Sequence, residues 1–284
     1  MTGVRSATAG QSQEAGETEH ERPGVQLRSI ASDEERLRSV DFSQLTPEEL
    51  DALAPLLHEL LVRMPRRQTR RRHVSAHGDR LDVRATLRHS VSSGGDPVRA
   101  IRRSRGTTPR RLVALLDISG SMEPYARAYL HLLWGAASLA HAEVFAFGTR
   151  LTRLTPALRF GQPDAALARA ARMMPDWSGG TRIGDSMTLF LNRYGRRGMA
   201  HGAVVLIVSD GWERGDPAIL AKQLDALARR AHRVVWVNPR VAAPEFAPLT
   251  GGMSVAMPFI DALVSGHSAN AMQDLVRALS ESGR

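Results

Sequence analysis

The sequence predicts an α/β protein: a doubly wound, mostly parallel sheet with helices on both faces, preceded by a small helical, arginine-rich N-terminal region. Three observations predict it. Short, continuous apolar runs recur at residues 112–116, 144–147, 204–208 and 234–237, as strands buried on both faces require. Stretches of helical period separate them, the alternation that builds a parallel sheet. Clusters rich in Gly, Ser and Asp follow the first and third runs, and open α/β sheets bind ligands beyond the carboxyl ends of their strands.

Residues 1–42 are rich in Ser, Thr, Gly, Glu and Arg with scattered aliphatics, and are expected to form a disordered acidic tail. A helix is expected from Thr46, with Thr46 as N-cap, Pro47 at the first helical position and Glu49 closing a capping box. Leu50, Leu53, Leu57, Leu60 and Leu61 then share one face, and the helix should end near Met64-Pro65. The basic run at 66–72 follows, then a segment through Leu81, Val83 and Leu87 to Gly94-Gly95. Residues 43–108 are thus a helical, arginine-rich region.

The α/β domain is expected over residues 109–284. After the first strand, residues 125–140 read as a helix and 144–147 as the second strand. An edge strand or hairpin arm is expected at 151–154, and helices at 163–174 and 183–194. Residues 204–208 read as the central strand. The helix at 217–230 carries arginines in its last turn, where they suit the dipole. A strand at 234–237 stops at Asn238-Pro239. A short strand near 254–257 and a terminal helix from Asn270 complete the set.

Composition narrows the chemistry. With 284 residues, 43 % of them hydrophobic, the chain can bury a sizeable core. Cysteine is absent, which excludes disulfides, zinc-thiolate sites, iron–sulfur clusters and cysteine nucleophiles. The lone lysine, Lys222, does not follow a glycine, so there is no P-loop. No early apolar core resembles a signal peptide, and no run approaches the roughly 18 apolar residues of a membrane span. A cytoplasmic protein is expected.

Charge is unevenly placed. Residues 1–62 hold 5 Arg against 12 Asp and Glu, whereas residues 63–111 hold 15 Arg against 3 Asp. The basic segment could meet nucleic acid, meet an acidic partner, or be a solvated linker. No aromatic residue interleaves its arginines, so a base-stacking surface is unsupported and nucleic acid is disfavoured.

Three polar clusters carry the chemistry: Asp117-Ile118-Ser119-Gly120-Ser121, Ser178-Gly179-Gly180-Thr181-Arg182-Ile183-Gly184, and Ser209-Asp210-Gly211. If the strands at 112–116 and 204–208 are neighbours, Asp117 and Asp210 meet on one edge. Two carboxylates with the hydroxyls of Ser119, Ser121 and Thr181 form an all-oxygen set suited to a hard divalent cation, Mg²⁺ or Mn²⁺. Taken alone, Asp117, Ser119 and Ser121 also read as a Gly/Ser turn capping the next helix. The three clusters in order favour the cation.

These residues resemble the metal-ion-dependent adhesion site of von Willebrand factor type A (VWA) domains: Asp117-x-Ser119-x-Ser121, Thr181 and Asp210 match all five of its positions. That likeness covers roughly residues 109–260. It implies a Mg²⁺-dependent protein-binding module with those five residues around the metal. A narrower likeness, over most of residues 65–280, is to the CoxE-type subgroup. Glu143-Val144-Phe145-Ala146-Phe147-Gly148-Thr149-Arg150, Asp176-Trp177-Ser178-Gly179-Gly180-Thr181, Ser209-Asp210-Gly211-Trp212-Glu213-Arg214-Gly215-Asp216-Pro217 and Ala231-His232-Arg233-Val234-Val235-Trp236-Val237-Asn238-Pro239 carry it. The subgroup implies maturation of a carbon monoxide dehydrogenase-type molybdenum hydroxylase alongside a MoxR-type AAA+ ATPase. The partner would complete the metal shell with an acidic residue.

Other readings of the same residues are weaker. A Mg²⁺-dependent phosphatase of haloacid-dehalogenase type also places an aspartate after its first strand. It wants a second aspartate where Ser119 stands, and a lysine near the phosphoryl group, whereas Lys222 lies in a predicted helix. A serine hydrolase lacks its Gly-x-Ser-x-Gly elbow. Arg214-Gly215-Asp216 reads as a helix lead-in, with Asp216 capping and Pro217 in the first turn. Trp177, Trp212 and Trp236 either line a partner site or pack in the core. The ten histidines show no ligand spacing.

Overall fold

The four continuous apolar runs become four adjacent strands. The computed structural model describes residues 35–60, 65–92, 100–174, 181–242 and 251–281, so residues 1–34 of the expected disordered tail lie outside the described residues. The end of that tail is ordered instead: residues 35–39 are helical, and Leu37 and Phe42 are buried in the core. In chain order the elements are α1 (Pro47–Leu60), β1 (Arg66–Val74), β2 (Arg80–Leu81), α2 (Val83–Ser92), β3 (Arg102–Pro109), β4 (Leu112–Asp117), α3 (Glu123–Leu139), β5 (Glu143–Phe147) and β6 (Leu151–Arg153). There follow α4 (Thr155–Leu158), α5 (Pro163–Arg172), α6 (Ile183–Phe190), β7 (Val204–Val208), α7 (Pro217–Ala228), β8 (Arg233–Val237), α8 (Gly251–Ala256), β9 (Ala262–Val264) and α9 (Ala271–Ser280).

The main sheet has the order β6-β5-β4-β7-β8-β9. Only the edge pair β5–β6 is antiparallel; β4 lies parallel between β5 and β7. Side chains alternate between its two faces. Leu112, Ala114, Leu116, Val144, Val204, Leu206 and Val235 join α1, α3 and α9 in one apolar layer. Val113, Leu115, Phe145, Val205, Ile207 and Trp236 join α6, α7 and α8 in the other. Every residue of β4, β7 and β8 is buried, which is why these strands read as unbroken apolar runs.

Residues 37–284 form one compact unit, and the helical part of the N-terminal region is built into its core. Phe42, Leu50, Leu53 and Leu57 are buried in the same layer as α3. The Phe42 amide donates to the His267 carbonyl (2.8 Å), which ties this stretch to the chain before α9. The capping box forms as expected: the Glu49 amide donates to Thr46 Oγ1 (3.2 Å) and the Thr46 amide to Glu49 Oε2 (3.0 Å). Thr46→Ala is expected to cost about 1 kcal/mol, read as a lower urea midpoint with unchanged slope.

Where α1 crosses α3, two imidazoles meet. His58 Nε2 lies 3.4 Å from His131 Nδ1, and the His58 ring leans on Trp134. Burial lowers both histidines below the ordinary value of 6.5, and the opposing pull of Asp51 on His131 and of Asp164 on both does not reverse it. The unfolded chain therefore takes up protons near pH 6.5 while the folded one resists, so protonation favours unfolding. Stability should fall as pH drops through 6.5. His131→Gln should flatten that slope, measured as denaturation midpoints between pH 8 and pH 5.5.

Three expectations are corrected here. The basic run at 66–72, in a region expected to be helical and arginine-rich, is a strand. β1, β3 and β2 form a separate antiparallel ribbon of that order, with a bulge between Gln68 and Arg72. Most of its side chains are exposed, so it has no buried face to impose an alternating pattern on the sequence. Secondly, the short strand expected near 254–257 is helix α8, and the sixth strand is β9. Met253 and Ala256, three apart, face the core from α8. A short apolar run does not distinguish helix from strand by period alone. The helix expected over 183–194 keeps α-form only to Phe190 and widens over Leu191–Met199.

Candidate functional site

Parallel pairing of β4 with β7, in register at Leu116 and Val208, brings Asp117 and Ser209 side by side at the carboxyl edge. Asp117 is fully buried. Its Oδ2 accepts a hydrogen bond from Ser209 Oγ (2.6 Å). Its Oδ1 accepts from the Ser119 amide (2.9 Å) and from Thr181 Oγ1 (3.1 Å). Ser119 Oγ in turn lies 3.2 Å from Ser121 Oγ. Thr181 is buried although it precedes α6 by two residues. Four of the five expected residues are thus linked in one network.

The fifth, Asp210, follows Ser209 and is buried. Its Oδ1 accepts from the Trp212 amide (3.1 Å), while its Oδ2 is buried with no hydrogen-bond partner. Trp236 Nε1 donates to the Ser209 carbonyl (2.9 Å) and Asn238 Nδ2 to the Asp210 carbonyl (3.1 Å), which fixes the turn leaving β7. Gly211 continues that turn at φ +78°, a conformation natural to glycine. Burial pushes the Asp117 carboxyl up to about 6 despite its hydrogen bonds, and the charge of Asp210 adds to the rise. The site therefore holds excess negative charge. All its converging donors are oxygens.

Several supporting residues carried no assigned role in the sequence. Ser209 was visible only as a neighbour of Asp210; the pairing of β4 with β7 is what aims it at Asp117. Glu213 holds two loops together. Its Oε2 accepts from the Gly184 amide (2.7 Å) at the start of α6, while the Arg214 amide donates to the Thr181 carbonyl (3.1 Å). Trp236 packs in the core, whereas Trp212 is 58 % exposed beside Asp210. Trp177 and the glycine-rich stretch 178–180 lie outside the described residues. Asp216 caps α7 through the Ala218 amide (2.9 Å), which accounts for the Arg-Gly-Asp tripeptide. Arg182 stands in a loose, exposed pair with Asp185 (3.8 Å). Among the described residues no group of three or more His, Asp and Glu is placed to hold a metal ion, at this site or elsewhere.

The family model described as "VWA domain containing CoxE-like protein" matches residues 52–272. The chain belongs to this CoxE-like VWA family. The match runs from within α1 through the ribbon and most of the α/β domain to the first residues of α9. No curated protein sequence matches the chain. Among solved structures, this CoxE-like chain is similar to proximal thread matrix protein 1 of the mussel byssus (14 % identity, 60 % of this chain and 46 % of that one, TM-score 0.41). A second structure of the mussel protein, with a zinc-occupied MIDAS motif, aligns at 15 % identity over 60 % of this chain and 46 % of that one, TM-score 0.40. A von Willebrand factor type A protein from Catenulispora acidiphila aligns at 14 % identity over 62 % of this chain and 43 % of that one, TM-score 0.40. The chain spans less than half the length of these relatives. Among the described residues no helix is long and apolar enough to cross a membrane.

Proposed function

We propose that this chain is a cation-dependent protein-interaction adaptor. Its carboxyl-edge site holds Mg²⁺ or Mn²⁺, and it works in the cytoplasm with a MoxR-type AAA+ ATPase on a carbon monoxide dehydrogenase-type molybdenum hydroxylase or a similar client. The observation that carries the metal assignment is the buried, unpartnered Oδ2 of Asp210 near a second buried carboxylate. Buried charge left without a partner costs several kcal/mol. A hard cation relieves it where only oxygens converge. Ser119, Ser121 and Thr181 would hold the ion through neutral hydroxyls, with Asp117 and Asp210 supplying charge directly or through water. When bound, the ion supplies Lewis acidity toward a carboxylate presented by another protein. Membership of the CoxE-like family supports the ATPase and client part of this reading.

Catalysis is not part of this reading. Both oxygens of Asp117 are tied down by hydrogen bonds, which disfavours it as a phosphatase nucleophile. Ser119 stands where such an enzyme needs its acid, and Lys222 is exposed on α7. The test is affinity capture from the native host with the tagged full chain, in Mg²⁺ and in EDTA, read by mass spectrometry. An AAA+ ATPase or a molybdenum hydroxylase recovered only with Mg²⁺ is the expected result. Equal recovery in EDTA would overturn the metal dependence, and recovery of neither would overturn the adaptor role.

A further inference from the structure

Helix α2 faces the wrong way for a helix of a globular domain. Its inward residues are small or polar. Ser90 is buried and bonds the Leu87 carbonyl through its Oγ, and Thr86 Oγ1 accepts from the Ile101 amide (3.0 Å). Val83, Leu87 and Val91, spaced four apart, are instead 57 %, 59 % and 79 % exposed. Arg84 and Arg88, both exposed, flank that stripe one residue along. Amphipathic helices ordinarily bury the aliphatic side. The helix is nonetheless firmly seated. Asp82 accepts from the Ala85 amide (3.0 Å) at its first turn and from Arg103 Nε of β3 (2.5 Å). Among the described residues nothing covers the outward stripe, which makes it a presented surface.

We infer that α2 and the arginine ribbon behind it form a second interaction surface, whose occupant is an acidic, aliphatic helical segment of a partner protein. The spacing of Val83, Leu87 and Val91 is the i, i+4 ridge that packs into the groove of another helix. The Arg84 and Arg88 guanidinium forks, along one side of the stripe, match carboxylates with bidentate geometry. Charge disfavours a symmetric contact with a second copy of this chain, since the same basic surface would meet itself. Residues 66–111 contain no Phe, Trp or Tyr. The surface thus lacks both the aromatic anchors of a membrane-interface helix and a platform for stacking bases. It is also separate from the cation site. β3 runs directly into the amino end of β4, while Asp117 stands at the other end of that strand.

The test places a photo-crosslinking residue at Leu87 of the full chain in its native host, with Ile219 of α7 as the control position. The crosslinked peptides are mapped by mass spectrometry. The inference expects crosslinks at position 87, absent at 219, into a segment rich in Asp, Glu and aliphatics. A synthetic peptide of that segment should bind the purified chain with at least tenfold weaker affinity in Leu87→Ser/Val91→Ser and in Arg84→Glu/Arg88→Glu. Both variants change exposed side chains only, so their folding is checked by unchanged thermal midpoints. Binding should be the same in EDTA and in Asp210→Asn, which separates this surface from the cation-dependent one. Crosslinks into this chain's own acidic N-terminal residues, into lipid or nucleic acid or into a basic partner segment, or no crosslink above the control, would each overturn it. So would tighter, stripe-dependent binding of phosphatidylglycerol vesicles or duplex DNA.

Discussion

Asp210→Asn is expected to abolish Mg²⁺ binding measured by calorimetry, while leaving the metal-free fold as stable as before or more so. The wild-type carboxylate has one oxygen held by the Trp212 amide and one buried without a partner. An amide keeps the first contact and removes the charge. Without metal, that relieves repulsion on Asp117, whose carboxyl burial and the neighbouring charge hold at about 6. With metal, the stabilisation conferred by ligand at a hundredfold excess over Kd, about 2.7 kcal/mol, should disappear from the variant. A Mg²⁺-induced rise in thermal midpoint that survives in Asp210→Asn would remove this residue from the cation site. A variant that unfolds without metal would show instead that the carboxylate is structural.

Gly135→Ala should destabilise the chain by about 3 kcal/mol or more, at the upper end of what overpacking costs. A Cβ on Gly135 would lie 2.0 Å from the His58 carbonyl oxygen and 2.6 Å from His58 Cα. The obstacle is backbone, so no rotamer change relieves it. α1 would have to lift off α3, exposing Leu53 and Leu57 and separating His58 from His131 and Trp134. Gly251→Ala is the control. There a Cβ meets only Pro217 Cγ at 3.7 Å, an ordinary contact, and the expected change in the urea midpoint is small. Equal effects of the two substitutions would show that α1 does not cross α3 at this distance.

Local chemistry was legible in the sequence wherever one residue acts on its own neighbours. Thr46 and Glu49 announced their capping box, and Asp216 its cap on α7, because each bonds an amide two or three residues away. The central strands were legible because burial on both faces demands apolar residues along their middles, with Asp117 and Arg233 only at strand ends. Asp117, Ser119, Ser121, Thr181 and Asp210 could be singled out because polar residues clustered where apolar runs stop. The ribbon was not legible. Its strands are held by main-chain bonds that any sequence can make, and its exposed side chains are free to be arginine on either face. α8 was misread because six residues span too few turns to set a period.

The sequence by itself determined the alternation of strands and helices, the oxygen-only chemistry at their carboxyl edge and the arginine excess before them, since each depends on residue type and short spacing. Tertiary structure alone decided the rest. Strand order set Ser209 against Asp117, 92 residues away. Packing left one oxygen of Asp210 buried and unmatched, placed α1 against Gly135, and turned the aliphatic stripe of α2 toward solvent. All four depend on which elements become neighbours. Pairing and packing over long chain separations leave no signature in any one stretch of residues.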